Sequence, residues 1–169
     1  NSFLLPTETW LQGKSMPNRL TLLAEWVKGG GALIMAGGYL SFQGFEAKAR
    51  FAGTAVEEVL PVTCFTHDDR AETPEGAVPQ INDAKHAVLA GVPATMPVLL
   101  GYNRVQLKPG ATLIASVNGD PLIAATQVGK GRSLVWTSDI GPHWCPEPFV
   151  KWEGFAPLMA NMITWVAGK

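Results

Sequence analysis

The sequence of 169 residues predicts an α/β domain, and two neighbouring patterns carry this prediction. Residues 17–28 place apolar side chains at helical spacing, and a glycine triplet then ends the helix. The segment 32–36 that follows is short, wholly apolar and bounded by glycines, which is typical of a strand buried on both faces. A helix, a tight turn and a buried strand make half of a βαβ unit, in which helices cover both faces of a parallel sheet.

The middle of the chain predicts shorter elements. A capping box at 54–57 opens a helix that ends before Pro61. Residues 62–65 have the composition of a short strand, and the polar stretch 66–79, which contains two prolines, is predicted to be a loop or an edge excursion. A short helix over 83–91 is closed by glycine.

The second half predicts an antiparallel or mixed addition to the sheet. Short turns separate its last three strand-like segments, and Asn118-Gly119 is a strong hairpin signal. From Phe155 to Val166, apolar residues recur at the spacing of one stripe on an amphipathic helix. The strand-like segments are 99–105, 111–117, 121–127 and 133–138.

The composition excludes several classes of function. The net charge of −1 leaves no basic face for a nucleic acid, and no apolar run reaches the roughly 18 residues that cross a membrane. Two cysteines are too few for a disulfide framework, and no secretory leader is visible, so a cytoplasmic protein with reduced thiols is predicted. We expect no metal and no cofactor; the expected partners are an unknown small molecule and, in a homo-oligomer, further copies of the chain.

The turn at residues 37–41, which follows the predicted buried strand, is the most site-like feature of the sequence. Ligands of open α/β sheets lie outside the carboxyl ends of the strands, and a nucleophile on a sharp strand-to-helix turn is one use of that position. Gly37 and Gly38 let the backbone turn tightly and approach a ligand. The alternative is that these glycines serve the turn alone.

A second candidate region follows the last predicted strand. His143 lies in this loop, and imidazole suits acid–base work at neutral pH. Glu147 or Glu153 could orient it; alternatively, His143 is a loop histidine hydrogen-bonded near Trp144. Three of the six tryptophans fall in or beside the loop 139–153, which indicates a pocket or an interface.

Several weaker candidates have simpler interpretations. Cys145 is two residues from His143 but precedes a proline, and Cys64 has the surroundings of a core residue. The segment 67–69, with one histidine and two aspartates, could ligate a divalent metal, although adjacent acidic residues in polar loops are usually solvated. The segment 129–132 lacks the full phosphate-loop pattern, so a tight hairpin turn is predicted.

Six segments carry a resemblance to a known family over nearly the whole chain: 30–44, 61–62, 100–103, 129–132, 137–139 and 142–144. The chain resembles the class I glutamine amidotransferase-like superfamily and, within it, a group of uncharacterised bacterial cytoplasmic proteins. The resemblance implies one domain over 1–169, a flavodoxin-like three-layer sandwich whose sheet is mostly parallel with an added antiparallel part. It also implies a βα unit and a strand before Asn1, so we expect the natural protein to be longer.

Working members of the superfamily carry a G-x-C-x-G-x-Q pattern at the nucleophile turn. Gly37 and Gln43 match the first glycine and the glutamine, whereas Tyr39 falls on the cysteine and Ser41 on the second glycine. A tyrosine cannot replace a thiolate as acyl acceptor, because a phenol stays protonated at neutral pH and its oxygen stands farther from the backbone. The resemblance therefore implies a retained site scaffold without classical glutaminase activity.

The predicted site joins the turn and the loop, and two hypotheses stay open for it. The first is a non-catalytic domain for small-molecule binding or assembly; the second is a hydrolase or transferase of unknown substrate. The second requires His143 to lie within about 8 Å of the turn and to have a carboxylate partner. The catalytic candidates are Tyr39, His143 and Glu153, and the ligand-binding candidates are Gly37, Gly38, Ser41, Gln43, Asp139 and Trp144.

Overall fold

Helices and strands alternate irregularly along residues 6–169, the part of the chain that the computed structural model describes. The α-helices are α1 (Thr7–Gln12), α2 (Arg19–Lys28), α3 (Ala55–Val59), α4 (Glu147–Val150) and α5 (Phe155–Val166). The strands are β1 (Ala32–Ala36), β2 (Val62–Cys64), β3 (Arg70–Ala77), β4 (Pro79–Ile81), β5 (Leu99–Asn103), β6 (Val105–Leu107), β7 (Thr112–Val117), β8 (Asp120–Val128) and β9 (Gly131–Trp136). Short 3-10 helices span Phe45–Ala47 and Ala87–Leu89.

The main sheet is mixed, with the strand order β1-β9-β8-β7-β4. Only β1 and β9 run parallel, and the other three neighbouring pairs are antiparallel. The predicted mostly parallel sheet is therefore not confirmed within residues 6–169. Short connections explain the antiparallel pairs. Two-residue turns after Val117 and Val128 join β7 to β8 and β8 to β9. A turn this short can join only antiparallel strands.

Helices cover both faces of this sheet, as the α/β prediction requires. Successive residues of β9 point to opposite faces: Leu134 and Trp136 pack in the same cluster as α5, whereas Val135 packs with Leu20 of α2. The apolar stripe of α5 thus faces one side of the sheet, and α2 with α3 faces the other.

Strand β1 has the predicted bounds but not the predicted burial. All five of its residues are partly exposed, because β1 is the edge strand of the sheet in the described part of the chain. Apolar cavities of about 170 and 400 Å³ open beside it, one on each face, and Ile34 lines both. The prediction of full burial on both faces was wrong.

Local signals placed the helix ends well. Asn18 caps α2, its Oδ1 accepting hydrogen bonds from the backbone N–H groups of Leu20 and Thr21. Thr54 Oγ1 caps α3 by accepting from Glu57 N. The preceding helix α1 was not predicted. No helix among residues 6–169 is long and apolar enough to cross a bilayer.

The segment 66–79, predicted to be a loop or an edge excursion, is more regular than expected. It contains β3 and the start of β4, and β3 pairs antiparallel with β5 in a separate two-stranded sheet. The strand was missed because half of its residues are polar and it contains a proline. The helix predicted over 83–91 is reduced to the 3-10 turn Ala87–Leu89, which His86 caps through its Nδ1.

Candidate functional site

The parallel pairing of β1 and β9 brings the two predicted regions to one edge of the sheet. The 37–41 turn follows the end of β1. Residues 139–144 follow the end of β9 and are called here the 139–144 loop. Gly37 N donates to Trp136 O at 2.7 Å and to Ser138 O at 3.0 Å. A Cβ on Gly37 would lie 2.2 Å from Thr137 O, so only glycine fits where the two backbones touch.

Tyr39 is the centre of an aromatic cluster, defined here as Tyr39, His143 and Trp144. Its ring stacks on Trp144, with centroids 5.4 Å apart and planes 27° apart, and the His143 ring lies 5.1 Å away. The guanidinium carbon of Arg70 lies 4.7 Å from the Tyr39 ring centroid. The phenol donates to Glu72 Oε1 at 3.0 Å. Tyr39 is still 40% exposed, so part of its ring can meet a ligand.

His143 has a carboxylate partner, and that partner is Asp139. The distance from His143 Nδ1 to Asp139 Oδ2 is 2.7 Å, and the same oxygen accepts from Trp144 N at 3.0 Å. Trp136 Nε1 donates to the Asp139 carbonyl and so anchors the residue to the core. Both conditions set for the second hypothesis, closeness to the turn and a carboxylate partner, are therefore met.

Neither of the two glutamates predicted to orient His143 is its carboxylate partner. Glu147 forms an ion pair with Lys151 on α4. Glu153 is exposed between α4 and α5, and among the described residues no hydrogen bond or ion pair joins it to His143. Asp139 was predicted as a ligand-binding residue, and its position also makes it the residue that orients the imidazole.

Glu72 and Arg70, both on β3, complete the polar side of the cluster. Glu72 Oε2 accepts from Trp144 Nε1 at 2.9 Å while its Oε1 holds the Tyr39 phenol. Arg70 binds Asp68 through two hydrogen bonds of 3.0 and 2.9 Å. These bonds from Arg70 hold the pKa of Asp68 well below its usual range. Glu72 and Arg70 were not predicted as site residues, because the segment that contains β3 was predicted to be a loop or an edge excursion rather than a strand beside the turn.

A buried pair, Asp69 and Asn103, lies beneath the turn. Asp69 accepts from Gln43 N at 2.8 Å, Gly44 N at 2.9 Å and Asn103 Nδ2 at 2.8 Å. Asn103 Oδ1 in turn accepts from Gly38 N at 2.8 Å. Burial raises the pKa of Asp69 although its three donors oppose the shift.

The three side chains of the candidate metal-binding segment 67–69 therefore make structural contacts. Asp68 pairs with Arg70, Asp69 binds backbone N–H groups, and the His67 ring lies against Phe65. Across residues 6–169, no group of three or more histidine, cysteine or acidic side chains is arranged to hold a metal ion.

Two predicted ligand-binding residues shape the turn. Gln43 is buried, and its Oε1 accepts from Ala52 N at 3.3 Å. Ser41 N donates to Gly38 O at 3.2 Å and closes the turn. These contacts give both residues a structural role in the loop that follows β1.

Neither cysteine has the environment of a nucleophile. Cys145 is fully buried, and burial, reinforced by the nearby charge of Asp139, raises the pKa of its thiol to about 12. Cys64 is also buried, and burial raises the pKa of its thiol still further. Reactive cysteines have lowered pKa values and are partly exposed, so both thiols stay protonated and inert.

A comparison with family models and a comparison with solved structures both find proteins that are similar to this chain. The model of a family described as putative glutamine amidotransferase matches residues 1–168. Two solved structures of cytoplasmic proteins from Salmonella typhimurium are similar to this chain with a TM-score of 0.95, at 40% and 38% identity. In both cases the match covers 98% of this chain and 67% of the relative.

A more distant likeness concerns the fold alone. A putative ThuA-like protein from Bacteroides uniformis is similar with a TM-score of 0.58 at 12% identity, covering 92% of this chain and 66% of that one. A search of curated proteins found no match.

Proposed function

The chain belongs to the family of putative glutamine amidotransferases, and from this premise we propose that its site binds a small molecule and no longer hydrolyses glutamine. The cytoplasmic relatives support a cytoplasmic location for this protein as well. Self-association remains a prediction of the sequence.

One observation carries the proposal: the residue at the nucleophile position is engaged as a structural member of the aromatic cluster. The Tyr39 phenol is bound to Glu72, and its ring is stacked on Trp144. A nucleophilic oxygen or sulfur must be free to reach the substrate, and it must be either deprotonated or in contact with a base that takes its proton. Tyr39 offers an aromatic face instead, and the buried thiols of Cys64 and Cys145 cannot substitute for it.

The exposed part of the cluster has the mixed character of a small-molecule site. Tyr39 and His143 present aromatic surface, and Glu72 and Asp139 place carboxylates at its margin. Ligand sites combine apolar or aromatic walls with a few fixed polar groups in this way. We therefore expect a compact polar molecule with one flat or apolar face.

Binding should depend on the Tyr39 ring. With a panel of amino acids, nucleosides, sugars and organic acids, we expect saturation-transfer NMR to detect a bound compound, and Tyr39→Ala to weaken its binding at least about tenfold, since the ring contact and the packing of its neighbours are both lost. Trp10→Ala is the matched control, because Trp10 is an exposed aromatic residue on α1. Equal binding by Tyr39→Ala and the wild type would place the ligand elsewhere and contradict the proposal.

Glutamine hydrolysis should be absent. Coupled detection of ammonia should find no release above the protein-free blank, either from the wild-type protein or from Tyr39→Phe, which keeps the ring and removes the hydroxyl. Cys145→Ser is a second control, which excludes the thiol beside the loop. Ammonia release from glutamine by the wild type would contradict the loss of amidotransferase chemistry, and its absence from Tyr39→Phe would assign the activity to the phenol.

A second candidate function, a hydrolase or transferase, is favoured by the Asp139–His143 pair. Asp139 binds Nδ1 of the imidazole, and Nε2 has no hydrogen-bond partner among the described residues. An imidazole oriented in this way by a carboxylate can act as a general base. Hydrolysis of an activated ester that both His143→Gln and Asp139→Asn abolish would favour this candidate over pure binding.

A further inference from the structure

Asn103 lies where the two halves of the site meet. It is the last residue of β5 and is fully buried. Its backbone N–H donates to Thr137 O at 2.7 Å, just beyond the end of β9. Its side chain accepts from Gly38 N at 2.8 Å and donates to Asp69 Oδ1 at 2.8 Å. One residue thus contacts the turn after β1, the strand end before the 139–144 loop, and a buried carboxylate.

Asp69 completes this arrangement from below. The carboxylate is 1% exposed, and besides Asn103 it binds the backbone N–H groups of Gln43 and Gly44. Buried donors and acceptors are costly when unpaired, so the pair can accept only a backbone that supplies these groups in the right places. The carboxylate therefore fixes the chain that leaves the turn, and Asn103 fixes its entry at Gly38.

From these contacts we propose that Asn103 is the positioning residue that sets the separation between Tyr39 and the His143–Trp144 pair. Tyr39 directly follows Gly38, whose N–H is bound by Asn103, and the 139–144 loop begins two residues after Thr137, whose carbonyl Asn103 also binds. The role of Asn103 in ligand binding rests on the proposed function, in which the exposed faces of Tyr39 and His143 form the ligand site.

The other hydrogen bonds at this edge of the sheet do not involve the Gly38 N–H. Gly37 N binds the carbonyls of Trp136 and Ser138, and Ser138 Oγ donates to Gly101 O. These bonds keep β1, β5 and β9 together but do not reach the Gly38 peptide, at which the chain turns towards Tyr39 with a φ of +135°. Removing the Asn103 amide should therefore leave the strands in place and release the turn.

The test is the near-ultraviolet circular dichroism of the full chain without ligand, in which Trp144→Phe identifies the band of the stacked cluster. At about pH 8, Asn103→Asp and Asn103→Leu should each lose at least half of this band. Between about pH 8 and about pH 5, Asn103→Asp should regain most of it, because two adjacent carboxyl groups can then share a proton, and the protonated group donates to Asp69 as the amide did. Asn103→Leu should not recover at any pH.

The wild type is measured over the same range, because the ionisable side chains of Asp68, Glu72, Asp139 and His143 lie at or near the cluster, and Cys64 lies near Asp69. A full wild-type band in Asn103→Leu, with only a lower melting temperature, would overturn the proposal and leave Asn103 a core residue. If Asn103→Leu does not fold, Asn103→Asp decides alone: the same spectrum at both pH values overturns the proposal. Because no ligand is used, these results are independent of whether the site binds a small molecule.

Discussion

Trp136→Ala should lower the free energy of unfolding by about 3–5 kcal/mol, the range for truncating a large buried aromatic residue. Trp136 is fully buried at the end of β9, and its ring lies 5.8 Å from that of Phe149. It packs in the cluster that contains Leu158 and Met162 of α5, so its truncation removes those contacts and enlarges the cavity that it lines beside β1. Urea unfolding followed by far-ultraviolet circular dichroism measures the loss.

Trp136→Phe separates the packing of this residue from its hydrogen bond. Phenylalanine fills most of the volume but cannot donate to the Asp139 carbonyl, as Trp136 Nε1 does. We expect a smaller loss of stability and, by proton NMR, a changed His143 environment, since the loop loses its anchor. Trp10→Ala is the surface control and should change stability by no more than about 0.5 kcal/mol. A Trp136→Ala cost as small as this would contradict the packing argument.

Local patterns in the sequence were sufficient for much of the fold. The glycines around Ala32–Ala36, the cap at Asn18, the turn at Asn118-Gly119 and the stripe of α5 are each encoded within a few residues. Those signals also located the 37–41 turn. They did not predict the exposure of β1, because burial depends on which strands are neighbours in space.

The polar half of the site could not be predicted in the same way. Glu72 and Asp69 are held to Tyr39 and to the turn by contacts that span 25 to 33 residues, and Asn103 reaches Gly38 across 65. Those contacts exist only because β3, a strand of polar composition, pairs with β5. Glu147 or Glu153 was predicted to orient His143, whereas the loop folds back so that Asp139, four residues before His143, lies at the imidazole.

Gly101→Ala should disable the site through a single methyl group. Gly101 pairs with Glu72 across β3 and β5, and a Cβ on it would lie 2.3 Å from Cδ1 and Nε1 of Trp144. The indole is almost fully buried and cannot move aside freely, so it must leave either its bond to Glu72 or its stack on Tyr39. We expect an overpacking cost of about 1–3 kcal/mol, and binding of the small molecule at least about tenfold weaker.

Gly141→Ala is the matched control, because it adds the same methyl group within the 139–144 loop. A Cβ there meets no atom within 4 Å, and Gly141 is not among the described residues with a positive φ. Stability by urea unfolding and affinity by NMR titration should both match the wild type for this variant. If Gly101→Ala kept wild-type affinity and the wild-type near-ultraviolet spectrum, the methyl group would fit beside Trp144 without displacing the indole, contrary to the packing argument. The stacked cluster would then not be what organises the binding surface.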